Sequence, residues 1–519
     1  MNEIEQNHAF MNLLGELETR FPVHEWTVDS VRVWPIARMH LYYGFFEHQY
    51  FANRPARAGL IKLADLPRVG LRIAKSAWRY VSSSVTDFRN THHRNHPHDA
   101  VFLNYQTYMT PLNGRWYSRV CDPFVEQLSA RGWSSFMLTG GYEYATPRLT
   151  KSRFIQPHLV FHRLLGMIDR RRGEPSPLLR ELEAAAKVSG LFSASFVLLD
   201  PVARHARQIR AISRYFKRVL AEVRPKLVLV TCWYATESMA CLLACSELGI
   251  PSVDIQHGSQ EFHVAYDRWT RVPPGGYELL PTCFWCWSEA EASVIRAWAG
   301  PLSVHTPIVG ANLFLERWVV GQDEVVRAYD RILTGLKEPS KGKVQILYTL
   351  NGSTKEEINT IVEIIEAVNK SGLESHFWIR LHPIALDQRG RVRRTLEQHG
   401  LRNVDVDNAT TLPLYAILRH MDVHITEFSS VVIEAQALGV PSVTGEQGVI
   451  WFPNQVATGW AVMARSIAEW VSGIRLQLDR RQTLVAGHSR SAVSSAKALD
   501  ELLDVVRNTA PHQVEEPVP

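Results

Sequence analysis

The segment Asp422–Val443, DVHITEFSSVVIEAQALGVPSV, holds side chains that could do chemistry together. Its alternation predicts a strand over 422–426 that ends at Thr426, then a helix beginning near Ser429. Ser429 and Ser430 then sit at a helix N-terminus, where free N–H groups and the helix dipole favour an anion. A serine that only caps the helix is the simpler use of that position. Glu434 follows one turn later among Val431, Val432, Ile433 and Ala435. A carboxylate in such surroundings needs a partner. Two ribose hydroxyls would supply it, and so would a salt bridge to Arg or Lys. Arg380-Leu381-His382-Pro383 ends the predicted strand HFWIRL. Pro383 biases His382 to an extended backbone, and Arg380, two residues earlier, shares its face. A cation and an imidazole at a strand's carboxyl end suit a leaving phosphate, His382 giving it a hydrogen bond or a proton. A loop histidine without a role is the alternative. Ser353, in Asn351-Gly352-Ser353-Thr354, follows the strand VQILYTL. With Glu356 it matches a capping box. Its place at a strand's carboxyl end also makes it a weaker candidate for ligand contact.

The first half of the chain offers a base. Asp254-Ile255-Gln256-His257-Gly258 closes another predicted strand. Gly258 permits a tight turn, and His257 projects at the strand's carboxyl end, suited to remove a proton from a hydroxyl. Glu237, near the start of the helix TESMACLLAC, and Asp254 are competing bases, and Asp254 could instead orient the His257 ring. Tyr105, Trp116, Trp233, Tyr234 and Trp269 are candidates for sugar-stacking surfaces, with a place in the core as their ordinary use. Six cysteines make no disulfide framework in 519 residues. Cys283–Phe–Trp–Cys286 reads first as an apolar strand rather than half of a zinc site with Cys241 and Cys245.

These residues need elements to position them. From residue 100 onward, short apolar runs alternate with helical stretches, which predicts parallel α/β sheets. Residues 248–253 read LGIPSV and residues 438–443 read LGVPSV. Each follows a strand and an Ala-containing helix. Gly can end such a helix in a left-handed conformation, and Pro prevents its continuation. Each half thus carries the strand–loop–helix–strand unit of a doubly wound sheet, and two such domains face to face leave a cleft. The expected division is a helical, basic N-terminal extension over 1–98, a first domain over 99–310, a second over 311–505 and a disordered tail over 506–519. At 46% hydrophobic and 21% charged residues the chain is an ordinary globular one, too long for a single core. A net charge of +5 over this length is too mild to argue for nucleic-acid binding. MNEIEQNHAF lacks a basic-then-apolar leader, and no run approaches the roughly 18 apolar residues needed to cross a bilayer. Residues 54–94 interleave Arg and Lys with apolar side chains, as in GLRIAKSAWRYV. They suit either an anionic membrane surface or a solvated helix with a core-facing stripe.

Arg-x-His-Pro, then about forty residues on a Thr-acid-aromatic-Ser-Ser followed by Glu-Ala-x-x-x-Gly-x-Pro, resembles the C-terminal domain of GT-B glycosyltransferases. The likeness is to bacterial capsule and cell-wall polymer enzymes, the sialyl-, polysialyl- and Kdo-transferases and the CDP-glycerol glycerophosphotransferases. It implies a GT-B fold of two Rossmann-like domains. It also implies that His382, Pro383, Ser429 and Ser430 contact a nucleotide's phosphate and that Glu434 holds its ribose. Gln256-His257-Gly258 resembles the His-Gly loop of polymer transferases, and GRWYSRVCDPFVEQL at 114–128 resembles the first helix of the capsule type. The acid before the Ser-Ser pair is Glu427, where wall-polymer enzymes carry Asp, and no paired acid-glycine motif of the sialyltransferases is present. The resemblance implies a metal-independent, inverting transferase without a cofactor. Its partners would be a nucleotide-activated sugar, CMP-linked by preference, and a glycan or lipid-linked acceptor, at the cytoplasmic face of an inner membrane. A polyol-phosphate transferase with a CDP-activated donor and a catalytically idle scaffold are the alternatives. A sugar-nucleotide epimerase shares the fold but lacks a supporting acidic constellation here.

Overall fold

The computed structural model describes residues 3–51, 97–141, 146–168, 177–260, 263–302, 304–352, 354–487 and 495–509. The basic segment 54–94, Ser353 and residues 510–519 of the expected tail lie outside the described residues. The chain opens with helices Glu3–Arg20 and Trp34–Phe51, separated by the hairpin of β1 (Thr27–Val28) and β2 (Val31–Arg32). The first domain then contains β3 (Ala100–Tyr105), a hairpin of β4 (Met109–Leu112) and β5 (Arg115–Ser118), β6 (Ser135–Gly140), β7 (Ser152–Phe154), β8 (Leu227–Thr231), β9 (Ser252–Ile255), β10 (Cys283–Cys286) and β11 (Thr306–Val309). The second contains β12 (Val344–Thr349), β13 (Ser375–Arg380), β14 (Val404–Asp405), β15 (Val423–Thr426), β16 (Ser442–Thr444) and β17 (Ala461–Met463).

Among the described residues these strands build a seven-stranded sheet, ordered β11-β10-β9-β8-β3-β6-β7, and a six-stranded sheet, ordered β14-β13-β12-β15-β16-β17. Pairing within both is parallel. The central strands are short and buried on both faces, so they read as continuous apolar runs such as LVLVT. In each sheet the order reverses beside the first strand, β3 or β12, which opens a crevice at the carboxyl ends. Register sets the C-terminal crevice: Thr349 pairs with Arg380 at the ends of β12 and β13, and Thr426 pairs with Thr444 at the ends of β15 and β16.

The repeated Leu-Gly-x-Pro-Ser-Val does the same work twice. Gly249 has φ +66° and Gly439 φ +75°. Ile250 N–H reaches back to the Cys245 carbonyl at 2.9 Å, and Val440 N–H to that of Ala435 at 2.9 Å. Each glycine thereby ends its helix in the left-handed region, and the next strand starts at Ser252 or Ser442.

The first two and the last of the described helices belong to the N-terminal domain. The first two helices share a continuous apolar core with its sheet, where Phe10, Leu14, Trp34 and Leu41 meet Val101, Val228 and Trp233. Inside it the Arg38 guanidinium pairs with the Glu18 carboxylate, and both side chains are fully buried. Trp34 Nε1 donates to Glu18 at 2.8 Å and Thr270 Oγ1 at 2.7 Å, so this charge is both paired and hydrogen-bonded. The helix Ser495–Thr509 corrects the expected boundaries at 505 and 506. Its apolar stripe of Leu499, Leu502, Leu503 and Val506 packs beneath Ala100, Phe102, Leu229 and Trp285 of the first sheet. Residues 506–509 are therefore helix rather than tail, held where that stripe leaves water. Cys283 and Cys286 lie on β10 and enter different apolar clusters, as side chains three apart on a strand must. No described helix is long and apolar enough to cross a membrane.

Candidate active site

The carboxyl ends of the two sheets face each other across a cleft of about 870 Å³. Arg380, His382, Pro383, Ser429, Ser430 and Glu434 line its C-terminal side, and Gln256 and His257 its N-terminal side. The fold thus brings into one space residues that are up to 326 positions apart in sequence, from Tyr108 to Glu434.

Each side chain is held differently. Arg380 Nη1 donates to the carbonyls of Ala409 at 2.6 Å and Leu412 at 2.7 Å, which aims the guanidinium along the cleft wall. Burial and the neighbouring Arg119 lower its pKa to about 10, so it stays a cation. The same two causes push His382 below its ordinary value, which leaves a neutral ring at pH 7. The helix after β15 begins at Val431, two residues later than expected. Ser429 accepts from Val431 N–H at 3.4 Å and donates its own N–H to Thr426 Oγ1 at 3.3 Å. Ser430 is the N-cap residue but has helical φ −56° and ψ −12°, and its side chain makes no capping bond. An N-cap that satisfies the helix has extended backbone, so capping does not account for the Ser430 hydroxyl. Glu434 makes no salt bridge to Arg or Lys among the described residues; the Tyr415 hydroxyl donates to it at 2.8 Å, and Asn312 Nδ2 donates to Tyr415 at 3.2 Å. Burial raises the Glu434 pKa, while Arg119 and Arg380 favour its charged form.

On the opposite wall Gln256 fixes the loop. Its Nε2 donates to the Gly258 carbonyl at 2.8 Å, and its Oε1 accepts from Trp287 N–H at 2.6 Å. His257 Nε2 lies 3.4 Å from the Tyr234 hydroxyl, and its Nδ1 is buried without a partner among the described residues. Burial, and secondarily Arg119, lower its pKa to about 4. Gly258 does not require glycine's freedom: its φ is not in the left-handed region, and a Cβ would meet open space.

Two expected bases fall outside. Asp254 is fully buried behind the cleft, accepting Trp233 N–H at 3.0 Å and the Tyr266 hydroxyl at 2.8 Å. It does not line the cleft, and those two bonds, rather than one to His257, occupy its oxygens. Burial raises its pKa to about 8. Glu237 is paired with Arg163 on the helix Thr236–Leu248. Of the candidate stacking aromatics, Trp233 and Trp269 are core and Tyr105 is tied to Ser238 at 2.9 Å. The capping box after β12 is shifted by one residue from the expected Ser353 and Glu356. Thr354 accepts from Glu357 N–H at 3.2 Å, and Glu357 reaches Asn351 N–H at 2.6 Å. Ser353 itself lies outside the described residues.

Arg119 is the main residue that motif reading missed. It follows β5 and lines the cleft, with its guanidinium 5.8 Å from the Tyr108 ring centre. It forms no side-chain hydrogen bond or ion pair among the described residues. Its charge is felt by His257, Arg380, His382 and Glu434 alike. Its only sequence signal was its position inside the noticed segment 114–128. With Arg119 and Arg380 on its walls, a Glu434 carboxyl whose pKa burial raises, and both histidines neutral, the cleft can bind an anion, hold polyol hydroxyls and accept a proton.

No family model and no curated protein matches the sequence. Solved structures do match the fold. The Staphylococcus aureus MnaA–UDP structure aligns with a TM-score of 0.50 at 11% identity, covering 79% of this chain and 97% of its own. UDP-GlcNAc 2-epimerase of Neisseria meningitidis bound to UDP-GlcNAc aligns with a TM-score of 0.50 at 16% identity, covering 78% and 99%. An α,α-trehalose 6-phosphate synthase of Burkholderia multivorans gives 0.44 at 12% identity, covering 80% and 97%. Two parallel-sheet domains, a cleft between their carboxyl ends and this likeness give the chain the GT-B fold.

Proposed function

We propose that the protein is a glycosyltransferase that moves a sugar from a nucleotide-activated donor to a glycan or lipid-linked acceptor in bacterial surface polysaccharide synthesis. One observation carries the reading: Arg380, His382, Ser429 and Ser430 of one domain converge with His257 and Arg119 of the other on a single cleft. In this reading Arg119 and Arg380 neutralise the phosphate of the donor, and His382 and the two serine hydroxyls give it hydrogen bonds. Glu434 has one oxygen held by Tyr415 and offers the other to a ribose hydroxyl. His257, neutral and desolvated, accepts the proton of the acceptor hydroxyl as that oxygen attacks the anomeric carbon and the nucleotide phosphate leaves. A single in-line displacement inverts the anomeric centre. The anionic donor raises the His257 pKa from its empty-cleft value toward the working range of a base.

A CMP-linked donor is favoured by the resemblance to cytidine-using polymer enzymes. A uridine donor is the next candidate, because MnaA and the Neisseria epimerase hold UDP and UDP-GlcNAc. The test is a thermal-shift screen with CMP, CDP, UDP, GDP and dTDP, since a ligand at 100 times its Kd stabilises by about 2.7 kcal/mol. Stabilisation by one of them, followed by transfer of its sugar, is the expected result. No stabilisation refutes the enzyme reading in favour of a scaffold, and a phosphodiester product refutes sugar transfer in favour of polyol-phosphate transfer.

A further inference from the structure

Behind His257 lies a second cavity of about 620 Å³ that shares His257 and Ser430 with the cleft. Its walls come from both domains: Tyr234, His263 and Tyr266 on one side, Phe428, Trp451 and Phe452 on the other. The aromatic rings adjoin one another, with His263 5.1 Å from Tyr234, 5.5 Å from Tyr266 and 6.4 Å from Trp451 between centroids. Ser259 Oγ donates to the Trp451 carbonyl at 3.3 Å, so the two halves of the chamber are joined across the domain boundary. No Lys, Arg, Asp or Glu lines it among the described residues.

The polar groups in this chamber are of one kind. His263 Nδ1 accepts the Ala265 N–H at 3.2 Å, which assigns the ring proton to Nε2. Nε2–H then has no acceptor among the described residues. His257 Nδ1 is buried and has no partner among the described residues. Aromatic walls match the C–H faces of a sugar ring, and neutral imidazoles and serine hydroxyls match its hydroxyls. Among the described residues no cation lines the chamber to replace the hydration a carboxylate or phosphate would lose here, and Arg119 and Arg38 act on its histidines only from outside the lining.

We propose that this chamber is the acceptor site and that its occupant is a neutral pyranose at the end of a glycan. Its ring stacks on aromatic side chains of both domains, and its nucleophilic hydroxyl faces His257. The inference rests on the transferase reading above and adds the acceptor's class to it: an uncharged sugar rather than an acidic sugar or a polyol phosphate. It also makes the acceptor site a product of both domains, not of the N-terminal one alone.

The experiment is saturation-transfer NMR on the full chain loaded with whichever nucleotide stabilises it. The probes are methyl glycosides of neutral hexoses and N-acetylhexosamines, alongside those of glucuronic acid and sialic acid. A neutral glycoside should receive saturation on its ring C–H protons. Trp451→Ala should weaken that binding at least tenfold, Trp451→Phe should largely preserve it, and both should keep the nucleotide thermal shift, which also reports folding. His263→Phe, which keeps a ring but loses Nε2–H, should weaken it as well. A nucleotide shift with no glycoside signal, tighter binding of the acidic probes, or unchanged binding in Trp451→Ala and His263→Phe would overturn the proposal. Absence of any nucleotide shift refutes the transferase reading itself.

Discussion

Arg119→Met is the most discriminating perturbation of the cleft. The guanidinium has no hydrogen-bond or ion-pair partner among the described residues, yet four other cleft side chains sense its charge. Such a group loses little when the protein is empty and much when an anion is bound. A charge-assisted hydrogen bond contributes about 1.5–3 kcal/mol. Losing about 2 kcal/mol weakens nucleotide binding roughly thirtyfold. At a nucleotide concentration of 100 wild-type Kd, the stabilisation then falls from about 2.7 to about 0.9 kcal/mol. The same change removes a cation from beside His257 and Glu434, so both pKa values rise. The assay is the thermal shift with and without nucleotide, with Arg296→Met as control because Arg296 pairs with Glu289 at the surface. A nucleotide shift equal to wild type in Arg119→Met, with the control also unchanged, would refute the assignment of this cleft to a phosphate.

Three further perturbations separate chemistry from scaffold. His257→Ala should lower transfer by about 10²–10⁴-fold while leaving the nucleotide shift in place; near-normal turnover in the folded variant removes His257 as base. Asp254 has a folded pKa of about 8 against an ordinary 3.8. Its stabilising contribution is therefore complete below about pH 4 and is lost as pH rises through about 8, at about 1.4 kcal/mol per pH unit between. Asp254→Asn should flatten that slope in urea unfolding from pH 5 to 8, and equal slopes in the two proteins would contradict the burial argument. Tyr415→Phe leaves Glu434 one hydrogen bond short, which costs about 1–3 kcal/mol by denaturant unfolding; a loss below about 0.5 kcal/mol shows that Glu434 finds another donor.

How far the sequence carries depends on whether a signal is local. Gly249 and Gly439 were readable because helix termination by a left-handed glycine is written within six residues. Arg380, His382, Ser429, Ser430 and His257 were readable because each sits at or just beyond a strand's carboxyl end, and doubly wound sheets gather those ends, while Glu434 was readable as a carboxylate among apolar helix neighbours. Arg119 was not, because it stands among 57 Lys and Arg and acquires its role only when a hairpin in one domain is set against strands of the other. Asp254 misled for the opposite reason. It is one residue before the end of β9, but alternation turns it inward, where Trp233 N–H and Tyr266 Oη hold it. The Tyr415–Glu434 bond joins elements nineteen residues apart, and nothing in the spacing announces it.

The chain leaves the first lobe after β11 and comes home to it by residue 495, so the lobes share two covalent straps rather than one. Removing residues 495–509 would therefore strip apolar cover from the underside of the first sheet, where Leu499, Leu502, Leu503 and Val506 pack.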